Sequence, residues 1–265
     1  MDLGLRDKAV IVTGGASNIG RAISLAFAAE GAKVAIVDID EEQAQKVASK
    51  ATELGASQVL VSRTDVSNWD EVRAMASKVE DEFGQVDILV NNVGWTVEKL
   101  FVDKPREEWE REIQLNLWSV INCTRAVLDG MIERKSGSVV SIGSDAGRVG
   151  EFREAVYAAC KAGVMALSKT LVHEYGRHNI RFNVVCPGTT MPESDDDVGG
   201  HSLWNTEEFK NWNTPEMREK IAKAYPMRRV GAPGDVARAV AFLSSDAASF
   251  IAGQTLSVSG GYTMA

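Results

Sequence analysis

Tyr157 and Lys161 stand four residues apart in EAVYAACKAG, inside a segment whose apolar spacing predicts a helix over 155–176. Four-residue spacing puts both side chains on one helix face. A free phenol has a pKa of about 10, poorly matched to proton transfer at neutral pH. An ammonium one turn away favours the phenolate and lowers that value. The pair is therefore a candidate acid/base for a reaction in which a proton leaves or joins an oxygen while a hydride moves at the neighbouring carbon. Ser144 precedes Tyr157 by thirteen residues and follows a β-branched run, and Asn116 lies upstream in IQLNLWSV. Taken singly these read as a turn serine and a buried amide in need of partners.

A second group of residues suits a phosphate. TGGASNIG (13–20) follows the first strand-like run and opens a helical pattern. Glycine permits a tight turn and close approach of backbone to a pyrophosphate, and a helix N-terminus presents unpaired N–H groups to negative charge. The next strand ends at Asp38, an acid placed to accept hydrogen bonds from ribose hydroxyls and to repel a 2′-phosphate. Ile39 follows it where a cation would suit NADP, and the 14–18 turn carries no basic residue. These features predict NAD rather than NADP.

Such groups need elements that hold them. Short, nearly continuous apolar runs at 8–13, 33–38, 57–63, 86–92, 137–143, 180–186 and 254–259 predict strands buried on both faces. Helical patterns fall between them at 19–30, 41–54, 67–83, 107–133, 155–176 and 233–245. Alternation of this kind predicts an α/β fold, a single doubly wound Rossmann domain spanning 1–265 with a seven-stranded parallel sheet. One stretch, about 189–226, has no strand, and a short helix at 215–224 begins with Thr214 and Pro215. So long an irregular insertion in a compact domain reads as a substrate lid.

Composition narrows the classes. The 265 residues carry a net charge of −8 and no basic run, which disfavours nucleic acid. No unbroken apolar stretch reaches membrane-span length, and the start lacks the regions of a signal peptide. Cys123, Cys160 and Cys186 lack metal-binding spacing and read as reduced core thiols of a cytoplasmic protein. Residues 191–214 hold six acids against Lys210. The run Asp195-Asp196-Asp197 reads as a solvated loop, and no metal is expected.

Asn116, Ser144, Tyr157 and Lys161, with TGGASNIG, Asp65-Val66, Asn91-Asn92-Val93-Gly94 and Pro187-Gly188, together resemble the short-chain dehydrogenase/reductase family over about 5–261. The resemblance implies that Gly14, Ser17, Asn18, Ile19 and Gly20 hold the pyrophosphate. Asp38 and Ile39 would meet the adenosine ribose, and Asp65 and Val66 the adenine. Asn92 and Gly94 would flank the riboses, and Pro187, Gly188 and Thr190 would cradle the nicotinamide. It further implies that Lys161 binds the nicotinamide ribose, that Ser144 bonds the substrate oxygen, and that Asn116 holds a water linking Lys161 to solvent. Two departures stand out. Asn18 replaces the middle glycine, a tolerable change because Asn accepts left-handed backbone. Pro192 stands where the family has threonine, leaving Thr190 or Thr189 to meet the carboxamide. Family members assemble through the helices at 107–133 and 155–176, which implies a homotetramer.

Within the family, Trp95, SDAGRVG (144–150), EAVYAACKAG (154–163), NVVCPGTT (183–190) and LSVSGGYTM (256–264) look similar to 2-hydroxycyclohexanecarboxyl-CoA dehydrogenases. This implies NAD-dependent oxidation of a ring secondary alcohol, with a CoA thioester as a possible small-molecule substrate. Arg148, Arg153, Arg228 and Arg229 are then candidates for the CoA phosphates. The acidic 191–214 stretch opposes an anionic substrate and favours an uncharged cyclic or terpenoid alcohol, a sugar or a diol. Trp95, Phe152, Trp204 and Trp212 are candidate apolar walls. Reduction of a 3-oxoacyl thioester, or an inactive structural subunit, are the remaining readings.

Overall fold

The computed structural model describes residues 2–265, without the side chain of residue 208. Seven parallel strands form one sheet: β1 (Ala9–Thr13), β2 (Lys33–Asp38), β3 (Gln58–Arg63), β4 (Ile88–Asn91), β5 (Gly137–Ile142), β6 (Ile180–Pro187) and β7 (Thr255–Val258). Their order is β3-β2-β1-β4-β5-β6-β7. The chain winds outward from β1 in one direction through β2 and β3, then returns to place β4 on the other side of β1. The carboxyl ends of β1 and β4 are thus the switch point where such sheets open a crevice.

The helices are α1 (Asn18–Ala29), α2 (Glu41–Leu54), α3 (Trp69–Phe83), α4 (Arg106–Ile113), α5 (Ser119–Arg134), α6 (Ala146–Val149), α7 (Ala155–Tyr175), α8 (Glu207–Trp212), α9 (Pro215–Ala222) and α10 (Pro233–Ser244). Strand alternation assigns the two faces. Val10, Val12, Val34, Ile36, Val90 and Val140 point to one side, where they bury Ile23 and Phe27 of α1 and Val236 and Val240 of α10. Ala9, Ile11, Ala35, Val37, Leu89 and Val139 point to the other, against Val72, Met75 and Val79 of α3 and Cys123, Val127 and Met131 of α5. A strand buried on both faces cannot show polar alternation, which is why the runs read as continuous.

The expected helix at 107–133 is broken. A π-helical turn at Gln114–Trp118 separates α4 from α5. Asn116 lies in it, and its amide donates to the Glu112 carbonyl at 2.9 Å and to the Trp95 carbonyl at 2.7 Å, competing with regular helix geometry. The expected start of α3 at 67 shifts to 69 because the Asn68 side chain accepts from the N–H groups of Asp70 and Glu71. The 215–224 helix forms over 215–222, capped by Thr214 as expected. The spacing of apolar residues did not reveal α6 or α8, each too short for periodicity to register.

The three cysteines are free and buried. By length and composition, the helix running from Ala155 to His178 would suffice to cross a membrane, although it buries only 28% of its most apolar window within the chain. Here it packs along β6 and carries Tyr157 and Lys161.

Candidate active site

Two cavities of about 610 and 580 Å³ lie over the carboxyl ends of the central strands. They share Asn18, Ile19, Asn92, Gly94, Trp95, Leu203 and Trp204, so they form one bent groove. At one end lie Asp38, Ile39, Asp65 and Val66. At the other lie Ser144, Tyr157, Lys161, Pro187, Gly188 and Thr190.

The first end has the shape a dinucleotide requires. Gly14 is left-handed (φ +60), and a Cβ on Gly20 would fall 1.9 Å from the Gly14 carbonyl. The Asn92 amide donates to the carbonyls of Thr13 and Gly14, locking the turn. Asn18 takes φ +45, the left-handed backbone expected of it, and its buried side-chain oxygen has no partner among the described residues. The N-terminus of α1 opens into the groove at this point, so the residues fit a pyrophosphate.

The Asp38 carboxylate accepts from the N–H groups of Ala16 (3.0 Å) and Asp40 (3.1 Å). Burial nevertheless holds its pKa above the ordinary value, against those two bonds. Asp65 secures its own loop by accepting from the N–H and hydroxyl of Ser67.

The acidic run is solvated only in part: Asp195 and Asp196 are exposed, as expected, but Asp197 and the backbone that follows are held by the body of the domain. Asp197 pairs with Arg21 of α1 at 2.8 Å, and the Asp196 carbonyl accepts from Gln43 of α2 at 2.9 Å. The Gly199 N–H donates to the Ser17 hydroxyl, and the Gly200 N–H to Asp40 at 2.7 Å. Long-range partners on α1 and α2 thus draw residues 195–200 across the adenosine end, a pairing that local sequence could not reveal.

At the other end, α7 presents Tyr157 and Lys161 from below while β5 delivers Ser144. The Lys161 ammonium donates to the Ile142 carbonyl at 2.9 Å and lies 5.4 Å from the centre of the Tyr157 ring. Burial lowers the Lys161 pKa to about 8. The expected loosening of the phenol proton is not met by these residues. Burial first, then the charge of Glu154, push the Tyr157 pKa up, and hydrogen bonding with Ser144 only partly opposes them. The reason is shared burial: the cavity that disfavours phenolate also disfavours the ammonium meant to stabilise it.

The Asn116 side chain is engaged by the Trp95 loop and by α4. Its oxygen accepts from the Trp95 N–H at 3.2 Å, and its amide donates to the Trp95 and Glu112 carbonyls. It thereby fixes the Trp95 loop. Beneath it, Lys104 and Glu112 form a buried ion pair at 2.5 Å, to which the Thr96 hydroxyl also donates. The Thr190 hydroxyl donates to the Gly188 carbonyl at 2.9 Å.

Trp95, Phe152, Trp204 and Trp212 all line the cleft as expected, and Phe209 joins them. The arginines do not. Arg148 donates to the Thr255 carbonyl and the Ser257 hydroxyl, and Arg228 to the Lys223 carbonyl. Arg229 pairs with Asp235, and Arg153 lies over Phe152 at 5.2 Å. None of the four lines the cleft, where Lys161 is the only cation among the described residues. Sequence reasoning missed Glu98, Glu151, Glu154, Tyr225 and Tyr262, which do line it. Tyr225 accepts from the Thr189 N–H at 2.7 Å and stacks on Tyr262 at 5.0 Å. The one available signal was Gly260-Gly261, both left-handed, which turn the C-terminal segment back over the cleft.

The chain is similar to known proteins over nearly its whole length. A family model described as enoyl-(acyl carrier protein) reductase matches residues 14–263. A 3-oxoacyl-[acyl-carrier-protein] reductase FabG of Chlamydia muridarum is 38% identical over 257 residues, 97% of this chain and 98% of the relative. One from Staphylococcus aureus is 34% identical over 258 residues, with 97% and 98% covered. Among solved structures, a 7α-hydroxysteroid dehydrogenase complexed with NADH and 7-oxo glycochenodeoxycholic acid superposes with a TM-score of 0.87 at 34% identity, covering 98% of this chain and 96% of that one. The two curated relatives carry the name of 3-oxoacyl reductases, not that of the 2-hydroxycyclohexanecarboxyl-CoA dehydrogenases the sequence resembled.

Proposed function

Because the chain belongs to the short-chain dehydrogenase/reductase family, and so is an oxidoreductase acting on CH–OH groups, we propose that it oxidises an uncharged ring secondary alcohol to the ketone with NAD. The observation that carries this reading is the convergence of Ser144, Tyr157 and Lys161 in one aromatic-walled cleft continuous with a groove that ends at Asp38.

NAD, when bound, supplies the hydride acceptor. Gly14, Ser17, Asn18, Ile19 and Gly20 hold its pyrophosphate. Asp38 and Ile39 hold the ribose, and Asp65 and Val66 the adenine. Asn92 and Gly94 flank the riboses, and Pro187, Gly188 and Thr190 the nicotinamide. Asp38 and Asp40 together present two carboxylates where a 2′-phosphate would lie, which supports NAD over NADP. Ser144 hydrogen-bonds the reacting oxygen and stabilises charge that develops on it. The Tyr157 phenol oxygen takes the carbinol proton. Lys161 is the cation beside this phenol, and its charge would oppose the burial that otherwise keeps the phenol protonated. Asn116 acts by holding the Trp95 loop.

The segment over 189–226 serves as the lid, fastened at the adenosine end by Arg21, Ser17 and Asp40. The engagement of Arg148, Arg153, Arg228 and Arg229 elsewhere argues against a CoA thioester and supports a substrate without phosphates. In this reading the protein is a cytoplasmic homotetramer; the apolar surface of α7 that the chain leaves uncovered supports self-association. Reduction of a 3-oxoacyl thioester is a second reading, favoured by the names of the curated relatives.

The deciding assay follows cofactor absorbance over a panel of ring alcohols with NAD and NADP, and over 3-oxoacyl thioesters with NADH and NADPH. Turnover of ring alcohols with NAD is expected. Activity confined to 3-oxoacyl thioesters with NADPH would replace the first reading by the second.

A further inference from the structure

Glu154 occupies the position before α7, one helical turn ahead of Tyr157. A carboxylate there ordinarily caps the helix, but this one forms no side-chain cap. Its backbone has φ −118 and ψ 31, and among the described residues its side chain makes no hydrogen bond. It lies half-buried in the wall of the cleft. A half-buried carboxyl that lines a cleft and has no protein partner is free to meet a ligand.

The surroundings define that ligand. Glu98 and Glu151 line the same cleft, Glu112 lies behind it, and Lys104 is already paired to Glu112. Tyr157 and Tyr262 face the same space, with Lys161 beyond the phenol. The field at Glu154 is therefore negative, which excludes an anionic substituent and welcomes a hydrogen-bond donor. Residues three apart on a helix have Cβ atoms about 5–6 Å apart. Glu154 and Tyr157 thus stand side by side in the cleft wall, so one small ring can meet both.

We propose that Glu154 is a specificity-determining residue that accepts a hydrogen bond from a second hydroxyl or ammonium group on the substrate, vicinal or next-nearest to the reacting carbinol. The preferred substrates are then diols, polyols or amino alcohols on a ring. This rests on the ring-alcohol dehydrogenase reading and narrows it.

Burial, with Glu98, Glu151 and Glu112, pushes the Glu154 pKa up to about 7, while Lys104 opposes them. Exclusion of anions should accordingly strengthen as pH rises through that value.

The test compares cyclohexanol, cyclohexane-1,2-diol and 2-hydroxycyclohexanecarboxylate in the full-length enzyme with NAD. A hydrogen bond to a charged group corresponds to roughly 10- to 100-fold in kcat/KM. Wild type should prefer the diol to cyclohexanol by a factor in that range, and Glu154→Leu should abolish the preference. Glu154→Gln keeps an acceptor but no charge. It should retain much of the diol preference, raise the relative kcat/KM of the hydroxy acid by about 10-fold or more, and flatten the pH dependence of that ratio. NADH binding by both variants establishes that they fold. Equal diol preference in wild type and Glu154→Leu, or an unchanged hydroxy-acid ratio in Glu154→Gln, overturns the assignment alone. Failure of wild type to oxidise any of the three alcohols overturns it together with the reading on which it rests.

Discussion

Replacing Lys104 by Met strips the partner from a carboxylate that solvent does not reach. The Glu112 side chain is 0% exposed and that of Lys104 2%, at 2.5 Å separation. One oxygen of Glu112 also accepts from Thr96 at 2.8 Å, while the other has no partner among the described residues. The ion pair is thus the main compensation for burying the charge. Removing one member of such a pair costs about 3–5 kcal/mol, mostly the penalty of the charge left behind. At roughly 2 cal/mol/K per residue of unfolding entropy, that lowers Tm by roughly 5–10 °C in a chain this long. Replacing both residues, Lys104→Met with Glu112→Leu, removes charge and partner together and should restore most of the loss. Thermal and denaturant unfolding of wild type, both single variants and the double variant form the cycle. A Lys104→Met protein within about 0.5 kcal/mol of wild type, or a double variant no better than the worse single one, would refute the reasoning.

Other outcomes follow from the same geometry. Arg21→Ala releases Asp197 and should raise KM for NAD several-fold with a smaller effect on kcat; steady-state kinetics showing the reverse split would contradict a fastening role for the 195–200 segment. Asp38→Asn should narrow the preference for NAD over NADP, measured as the ratio of kcat/KM, and an unchanged ratio would show that another group excludes the 2′-phosphate. The raised pKa of Glu154, about 7, means that the native state holds its proton longer than the unfolded chain does. The contribution of Glu154 to native stability therefore falls as pH climbs from the ordinary carboxylate range to about 7 and changes little above it. Glu154→Gln removes that dependence, so its Tm advantage over wild type should grow across this window and then level off; an advantage constant with pH would refute the assignment.

The sheet was legible because each central strand is buried on both faces. Val10, Val12 and Val34 serve one layer of helices while Ala9, Ile11 and Ala35 serve the other, and only unbroken apolar runs meet both demands. The turn at 13–20 was legible because its constraints are local: Gly20 has no room for a Cβ, and Asn18 adopts a backbone few other residues accept. What escaped was set by partners distant in the chain. Asp197 meets Arg21, so an acidic run that resembled a solvated loop lies across the groove. Arg148 satisfies the carbonyl of Thr255 near the far end of the chain, so it is not available to a phosphate. Helical spacing made the nearness of Lys161 to Tyr157 legible but not the desolvation, which acts on both groups at once. Glu154 carries no motif, and its importance comes from the partners it lacks.

Tyr157→Phe tests the central claim most directly, by NADH fluorescence titration beside turnover of the best alcohol with NAD. The account predicts NADH binding within about two-fold of wild type and a kcat lowered by roughly 10²–10⁴-fold, the span expected on losing a general acid/base. Substantial residual turnover, or no dinucleotide binding by the wild-type protein, would contradict it.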